Sequence, residues 1–248
     1  MSPAAEEACR RRFSRIDNIM DFIFSGLIKA LVLLATGDAE TYSAVFVTLR
    51  VTTASMAISL IAGIPLGFLL GYHEFPGRNQ VRIVVDTLLS LPTVFVGLLV
   101  YALISSRGPL GGLGLLFTLP GIAIGQAILA LPIVISLVAT ATQATDKNLR
   151  VTLVSLGAGP KNLLLTSLWE TRHAIVSAGL VAYGRVMTEV GVSLMVGGNI
   201  KWHTRTITTA IALETNKGQF AMGIALGLVL LLIAFFVTLG VTLLRRRS

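Results

Sequence analysis

The chain has 248 residues, of which 54% are hydrophobic and only 13% are charged, and its mean hydropathy is +0.82. An ordinary soluble domain carries about 25% charged residues, so this chain has too few to cover a folded core with a polar surface, and a soluble protein is excluded. The net charge is +8, and the basic residues that produce it lie between apolar runs. This placement indicates membrane topology rather than nucleic-acid binding.

Five segments are long and apolar enough to cross a bilayer, whose core requires about 20 such residues per helix. They are residues 43–72, 83–104, 119–144, 174–197 and 220–244. A sixth candidate, residues 19–35, contains Asp21 and Lys29, and it either crosses as a first transmembrane helix or lies at the interface as an amphipathic elbow. The sequence therefore predicts an all-α integral membrane protein, a bundle of five or six transmembrane helices with its permeation domain over residues 40–244.

The first of the five segments carries three glycines at a spacing of four residues: Gly63, Gly67 and Gly71. This spacing places them on one face of a helix, where the missing side chains let another helix approach closely. We expect this face to pack against a helix of the same subunit rather than to form a dedicated dimer seam.

The basic residues between the segments predict which connections are cytoplasmic. One set of connections holds nine lysines and arginines, and the alternating set holds four. The first set comprises residues 73–82, 145–173 and the tail 245–248, and the second comprises residues 36–42, 105–118 and 198–219. The positive-inside rule places the first set in the cytoplasm, and the basic segment 1–18 joins it if residues 19–35 cross the membrane.

The longest connection predicted to be cytoplasmic, residues 145–173, is more than a simple link between spans. Glycines and a proline interrupt it at residues 156–160, and an apolar stripe follows that includes Leu163, Leu165 and Leu168. Because a few residues would be enough to join two spans, a helix with a defined break indicates docking to a partner.

This connection resembles the coupling loop of ABC-importer permeases, whose signature is Glu-Ala-Ala, three residues, Gly, nine residues and Ile-x-Leu-Pro. Gly157 falls on the signature glycine and Ala158 on the alanine that commonly follows it. The residues at 151–153 and 169–170 depart from the signature. The resemblance implies that the coupling contacts are made by Gly157, Ala158, Gly159, Lys161, Asn162 and Leu163.

The segment after this loop strengthens the resemblance and makes it more specific. Residues 174–211 are similar to oxyanion permeases, and to tungstate permeases in particular. The matching positions are Gly184-Arg185, Glu189-Val190-Gly191, Met195, Gly197-Gly198-Asn199-Ile200, Arg205 to Ile211, and Glu214. The first span fits too, so that the resemblance to the tungstate and molybdate permeases covers roughly residues 40–244.

The resemblance implies a complete importer around this chain. Two copies would form the pathway, separate ATPase subunits would bind ATP, and an extracytoplasmic binding protein would deliver the anion. This chain would then be a multi-pass protein of a prokaryotic inner membrane, neither an enzyme nor the holder of a cofactor. The residues agree, because GAGPKN at 157–162 lacks the end of a nucleotide-binding loop, and the three histidines have no metal-binding spacing.

Arg185 and Glu189 are the candidate charges of the translocation path. They are four residues apart, and a charge inside a membrane helix usually faces a partner or water, since burying it in lipid costs about 2.5–3.5 kcal/mol. The pair either lines or gates an anion path or holds helices together as an internal ion pair. Sparse polar residues would complete the lining, and the candidates are Ser193, Asn199 and Gln126.

Other functions give different expectations. A permease of the same design could carry molybdate, sulfate or phosphate instead of tungstate. A secondary transporter driven by an ion gradient should carry several acidic residues in its spans, whereas only Glu189 and Asp86 lie near one.

Overall fold

The computed structural model describes residues 24–144 and 155–247, and these residues form α-helices with no strand among them. The helices are α1 (Phe24–Thr36), α2 (Ala39–Tyr72), α3 (Arg78–Leu88), α4 (Thr93–Ile104), α5 (Leu119–Gln143), α6 (Pro160–Glu170), α7 (Arg172–Met187), α8 (Gly191–Gly197), α9 (Ile207–Asn216) and α10 (Phe220–Arg247). The all-α prediction is therefore confirmed. The predicted segment 1–18 and the first ten residues of the coupling loop lie outside the described residues.

The apolar helices correspond to the five predicted spans. Helices α2, α5 and residues 220–240 of α10 are each long and apolar enough to cross a membrane, and two bent helix pairs bring the number to five if each pair is one span. Helix α1 is apolar but shorter, and it covers part of the sixth candidate. The choice between a crossing and an elbow for residues 19–35 stays a prediction.

Two predicted spans are broken rather than continuous. The span predicted over residues 83–104 is divided into α3 and α4, which meet at 96°. Pro92 explains this break, because it has no N–H and its ring disfavours a helical conformation of the residue before it. The span predicted over residues 174–197 is divided into α7 and α8, at an angle of 57°.

Helices α2 and α5 share the most extensive contact among the described helices, and the three evenly spaced glycines lie in it. A Cβ atom on Gly67 would lie 2.7 Å from the carbonyl oxygen of Ile135, and one on Gly71 would lie 2.7 Å from that of Ala139. Gly63 lies against the side chain of Val134 in the same way. Both helices contain an internal proline, which a membrane helix tolerates when neighbours satisfy the freed carbonyl.

The short helix α8 is enclosed by the longer helices. Its Val192 and Val196 are fully buried in a cluster with side chains of α2, α4 and α5. Gly97 of α4 and Gly125 of α5 face α8, and a Cβ atom on Gly125 would lie 2.6 Å from Val192 Cγ1. Helix α8 can therefore lie this deep only because the helices around it carry glycines at the contact.

Candidate functional site

The breaks of the two bent spans meet in the structure. A Cβ atom on Gly191, the first residue of α8, would lie 2.9 Å from the backbone nitrogen of Val94 and 3.1 Å from Thr93 Oγ1, in the first turn of α4. One on Gly97 would lie 3.1 Å from Val192 Cα. The start of α4 and the start of α8 are thus in backbone contact, and they bring the residues of both breaks together.

Glu189 occupies the break between α7 and α8, and its side chain is 4% exposed. Its Oε1 accepts hydrogen bonds from the backbone N–H groups of Gly191 at 2.7 Å and Val192 at 3.4 Å. A carboxylate at a helix N-terminus satisfies donors that have no partner within the helix, and it also interacts favourably with the helix dipole. This side chain therefore caps the start of α8, just beyond the end of α7.

Arg185 lies in the last turn of α7 and is the charged partner of Glu189. Its Nη1 is 3.5 Å from Glu189 Oε2, which is an ion-pair distance but not a short hydrogen bond. The side chain is 54% exposed, and Glu189 is its one charged partner within the described part of the chain. The carboxylate is therefore committed to the backbone of α8, whereas the guanidinium keeps free donors.

Arg185 and Glu189 line a narrow cleft of about 30 Å³ that is open at its mouth. Its other walls come from both breaks and from α5: Leu88, Leu89, Leu91, Thr93, Gln126, Leu129, Ile133 and Val186. The cleft exposes polar and apolar surface in similar amounts, and its polar side chains carry one guanidinium, one carboxylate, one hydroxyl and one amide. Such a lining can attract an anion without holding it tightly.

Gln126 and Ser193, which the sequence proposes for the path, are bonded to each other. Gln126 Nε2 donates to Ser193 Oγ at 3.1 Å, and Gln126 Oε1 accepts from Ser55 Oγ of α2 at 3.2 Å. Both side chains are almost completely buried. Ser193 and Thr208 also donate to the carbonyl oxygen of Glu189, at 3.3 and 3.0 Å. This network ties α2, α5, α8 and α9 to the break.

Asn199 lies apart from this cluster. Its Oδ1 accepts a hydrogen bond from Arg205 Nε at 3.1 Å, and Arg205 Nη1 pairs with Glu40 at the start of α2. Lys201 Nζ is 2.7 Å from the other carboxylate oxygen of Glu40. The structure thus brings together Arg185, Glu189, Gln126 and Ser193, whereas Asn199 belongs to a second ionic group.

Several residues of these two groups are not assigned to the translocation path by the sequence. Ser55, Thr208, Glu40 and Arg205 give only a weak signal, because single hydroxyls and terminal charges are common in membrane helices. The buried hydroxyls of α2 do recur on one face, and the members of this row are Thr48, Thr52, Ser55 and Ser59. Thr52 Oγ1 has no hydrogen-bond partner among the residues that the structure describes.

The described part of the coupling loop begins just before its glycines. Gly157 has φ +78°, and a Cβ atom there would meet nothing within 4 Å, so the glycine is required by the backbone conformation and not by packing. Ala158 and Gly159 lead into α6, in which the N–H of Leu163 donates to the carbonyl of Gly159 at 3.0 Å. Asn162 is exposed, and the side chain of Lys161 lies outside the described part.

The coupling loop exposes apolar side chains. Leu156, Leu165 and Trp169 are all exposed, and the guanidinium of Arg172 lies 4.4 Å from the centre of the Trp169 ring. A helix outside the predicted spans with this exposed apolar area has the composition of a protein contact surface.

Comparisons with known proteins agree on one family. The sequence profile of the family described as "Binding-protein-dependent transport system inner membrane component" matches residues 63–248. The tungstate uptake system permease protein TupB of Campylobacter jejuni is 51% identical over 216 residues, which cover 87% of this chain and 90% of that protein. TupB of Peptoclostridium acidaminophilum is 36% identical over 87% of this chain and 95% of its own length.

The fold is similar to that of a solved transporter. A chain of the inward-facing MetNI methionine ABC transporter superposes with a TM-score of 0.68 at 18% identity, over 84% of this chain and 95% of that chain. Similarity at this level of identity concerns the fold alone. The predicted fold class, an all-α bundle of the ABC-importer permease type, is confirmed by this superposition.

Proposed function

We propose that this chain, which belongs to the family of binding-protein-dependent transport system inner membrane components, is the permease subunit of an ATP-driven tungstate importer. The family match confirms the resemblance stated from the sequence. The main support for tungstate as the substrate is the 51% identity with a tungstate permease over 87% of this chain. A second tungstate permease at 36% identity supports the same anion.

In the proposed importer, two copies of this chain form the translocation path in the inner membrane of a prokaryote. Two ATPase subunits bind ATP and dock on the cytoplasmic loops, and an extracytoplasmic binding protein delivers tungstate. The chain itself therefore needs no cofactor and catalyses no reaction. The nucleotide drives the change of access through its partners.

Arg185 is the residue that we propose attracts the anion during passage. A tetrahedral dianion crossing an apolar barrier needs compensating charge, but release would be slow from a site with many cations. Arg185 offers one half-exposed guanidinium in this cleft, and Glu189 pairs with it while its other carboxylate oxygen accepts hydrogen bonds from the backbone of α8. Selectivity can then reside in the binding protein, which captures the anion first.

The contact with the ATPase is proposed for the loop around Gly157. The left-handed conformation of Gly157 gives a sharp entry into α6, and the exposed Leu156, Leu165 and Trp169 supply apolar area for burial. A movement of the ATPase subunits would reach the path through α6 and α7, because α7 begins two residues after α6 ends and carries Arg185.

Competition for uptake tests the proposed substrate. The importer is reconstituted in vesicles with its own binding protein, and ATP-dependent uptake of radiolabelled tungstate is measured with unlabelled molybdate, sulfate or phosphate in excess. We expect molybdate to compete strongly, because the two metal oxyanions are close in size and charge, and sulfate and phosphate to compete poorly. Displacement of tungstate by a modest excess of sulfate or phosphate would contradict the assignment.

A further inference from the structure

The segment between α8 and α9 has an unusual backbone. The described residues contain three non-glycine positions with positive φ, and all three lie at this end of the molecule: Phe117 (φ 60°), Asn199 (φ 51°) and Trp202 (φ 65°). Phe117 belongs to the same place because its N–H donates to the carbonyl of Val196 at 2.9 Å. A bulky residue such as tryptophan rarely adopts this conformation, because its Cβ crowds the backbone.

The turn formed by residues 198–205, the Trp202 turn, is held by hydrogen bonds and an ion pair. The N–H groups of Thr204 and Arg205 both donate to the carbonyl of Ile200 at 3.0 Å. Thr204 Oγ1 accepts from the N–H of Ile200 and donates to the carbonyl of Gly197, and Thr204 is fully buried. The Arg205 guanidinium bonds Asn199 and Glu40. The surrounding contacts therefore impose the strained conformation.

The strain does not serve burial, because it presents apolar side chains to the outside. Trp202 is 58% exposed, Ile200 is 43% exposed, and Phe117, which lies against Gly198, is 42% exposed. Strain that is imposed by many contacts and leaves an aromatic ring exposed is typical of a functional surface. A rigid aromatic side chain also makes a strong anchor in a protein interface, because little conformational entropy is lost on binding.

A lipid surface fits this turn less well than a protein does. Irregular backbone does not face the hydrocarbon of a bilayer, so the turn lies outside that region. The ammonium of Lys201 stands 5.2 Å from the centre of the Trp202 ring and is paired with Glu40, so one side of the ring faces charged groups. A lipid anchor would need only an exposed aromatic residue at a helix end. It would not need a strained turn that several hydrogen bonds hold in place.

We propose that the Trp202 turn is a docking surface for the extracytoplasmic anion-binding protein, with Trp202 as its anchor. The proposal rests on the proposed function, which supplies this partner, and on the predicted placement of residues 198–219 outside the cytoplasm. The partner should offer a concave apolar pocket for the indole, with acidic groups at its rim opposite Lys201. Docking there would deliver the anion next to the outer end of α8.

Variants of Trp202 separate docking from folding. In the importer with its ATPase subunits in nanodiscs, Trp202→Ala should weaken binding of the tungstate-loaded binding protein by at least about tenfold. Trp202→Gly should weaken it equally while leaving the melting temperature unchanged or raised, because glycine adopts positive φ without strain. The matched control is Phe235→Ala, which removes an equally exposed aromatic side chain from the regular helix α10. Unchanged affinity in both Trp202 variants would overturn the proposal.

A spectroscopic measurement decides between protein and lipid. The chain has two tryptophans, so 5-fluorotryptophan labelling gives two ¹⁹F signals, from Trp169 and Trp202. The unlabelled binding protein should shift the Trp202 signal and leave the Trp169 signal in place. In the Trp169→Phe permease alone, brominated lipids should quench Trp202 fluorescence far less than they quench a tryptophan introduced by Phe235→Trp in a Trp169→Phe/Trp202→Phe background. Equal quenching would identify a lipid anchor and reject the docking surface.

These measurements can fail separately from the proposed function. The substrate is tested by uptake in the wild-type importer, whereas the docking surface is tested by differences between variants and by lipid quenching in the permease alone. If the importer carried another anion, brominated lipids would still quench Trp202 weakly, and only the proposed substrate would be contradicted. If a tungstate importer showed strong lipid quenching of Trp202, only the docking surface would be rejected.

Discussion

The pair Arg185–Glu189 and the pair Arg205–Glu40 bury opposite members. In the first, the carboxylate is 4% exposed and the guanidinium 54%. In the second, the arginine is 15% exposed and the carboxylate 40%. In both pairs the more buried member also bonds uncharged groups: Glu189 accepts from two N–H groups of α8, and Arg205 donates to Asn199.

The more buried member of each pair is the one that stabilises the fold. A buried charged group that loses its partners is costly, whereas an exposed one is resolvated by water. We therefore expect Glu189 and Arg205 to be structural, and Arg185 and Glu40 to be dispensable for folding. Arg185 can then interact with the anion without a cost in stability. The loss of stability on substitution should decrease in the order Glu189, Arg205, Arg185 and Glu40.

The largest loss of stability is expected for Glu189→Ala. This change leaves the N–H groups of Gly191 and Val192 without an acceptor and Arg185 without a partner, which should lower the free energy of unfolding by about 2–3 kcal/mol. The measurement is unfolding of the purified permease by SDS, followed by circular dichroism. Glu189→Gln keeps an acceptor oxygen and should lose clearly less. A stability loss no greater than that of Arg185→Met would break the comparison.

Arg205→Met should cost less, about 1–2 kcal/mol, because it removes the bonds to Asn199 and Glu40 while Lys201 still pairs with Glu40. The same unfolding assay applies. Arg205→Lys is the matched control, since an ammonium keeps the charge but cannot reproduce the planar set of donors, and its loss should be intermediate. If Arg205→Met were as stable as wild type, Arg205 would not be the structural member of its pair.

Arg185→Met should change stability by less than about 1 kcal/mol, because the side chain is half exposed and Glu189 keeps its bonds to α8. Tungstate uptake should nevertheless fall at least about tenfold, which corresponds to about 1.4 kcal/mol of lost interaction with the anion in passage. The double variant Arg185→Met with Glu189→Gln should remain folded and transport equally poorly. Normal uptake by a stable double variant would leave the pair with a structural role only.

The smallest effect is expected for Glu40→Gln. Lys201 is half exposed and Arg205 keeps its bond to Asn199, so stability should fall by about 0.5 kcal/mol and wild-type uptake should be retained. This variant is the matched control for Arg185→Met, because each changes the exposed member of one pair. A loss of uptake as large as that of Arg185→Met would show that the second pair also takes part in transport.

The first pair is visible in the sequence, but its geometry is not. The i, i+4 spacing of Arg185 and Glu189 predicts one helix face, and the two side chains do meet, but Glu189 lies in a break beyond the end of α7. Its bonding to the N–H groups of α8 has no signal in the spacing. The path roles of Ser193, Gln126 and Asn199 stay predictions, and the structure adds that the first two are buried and bonded to each other.

The lengths and positions of the apolar segments were determined by the sequence itself, because hydropathy over about 20 residues is a local property that the bilayer imposes. The left-handed turn at Gly157 also has a local cause, because glycine adopts positive φ without strain. Pro92 marks one of the two bends locally, but the contact between the two breaks and the meeting of their polar groups depend on the tertiary structure. Ser55 and Gln126 are 71 residues apart, and Glu40 and Arg205 are 165 apart. Such partners depend on how whole helices pack, and no short pattern of residues records that.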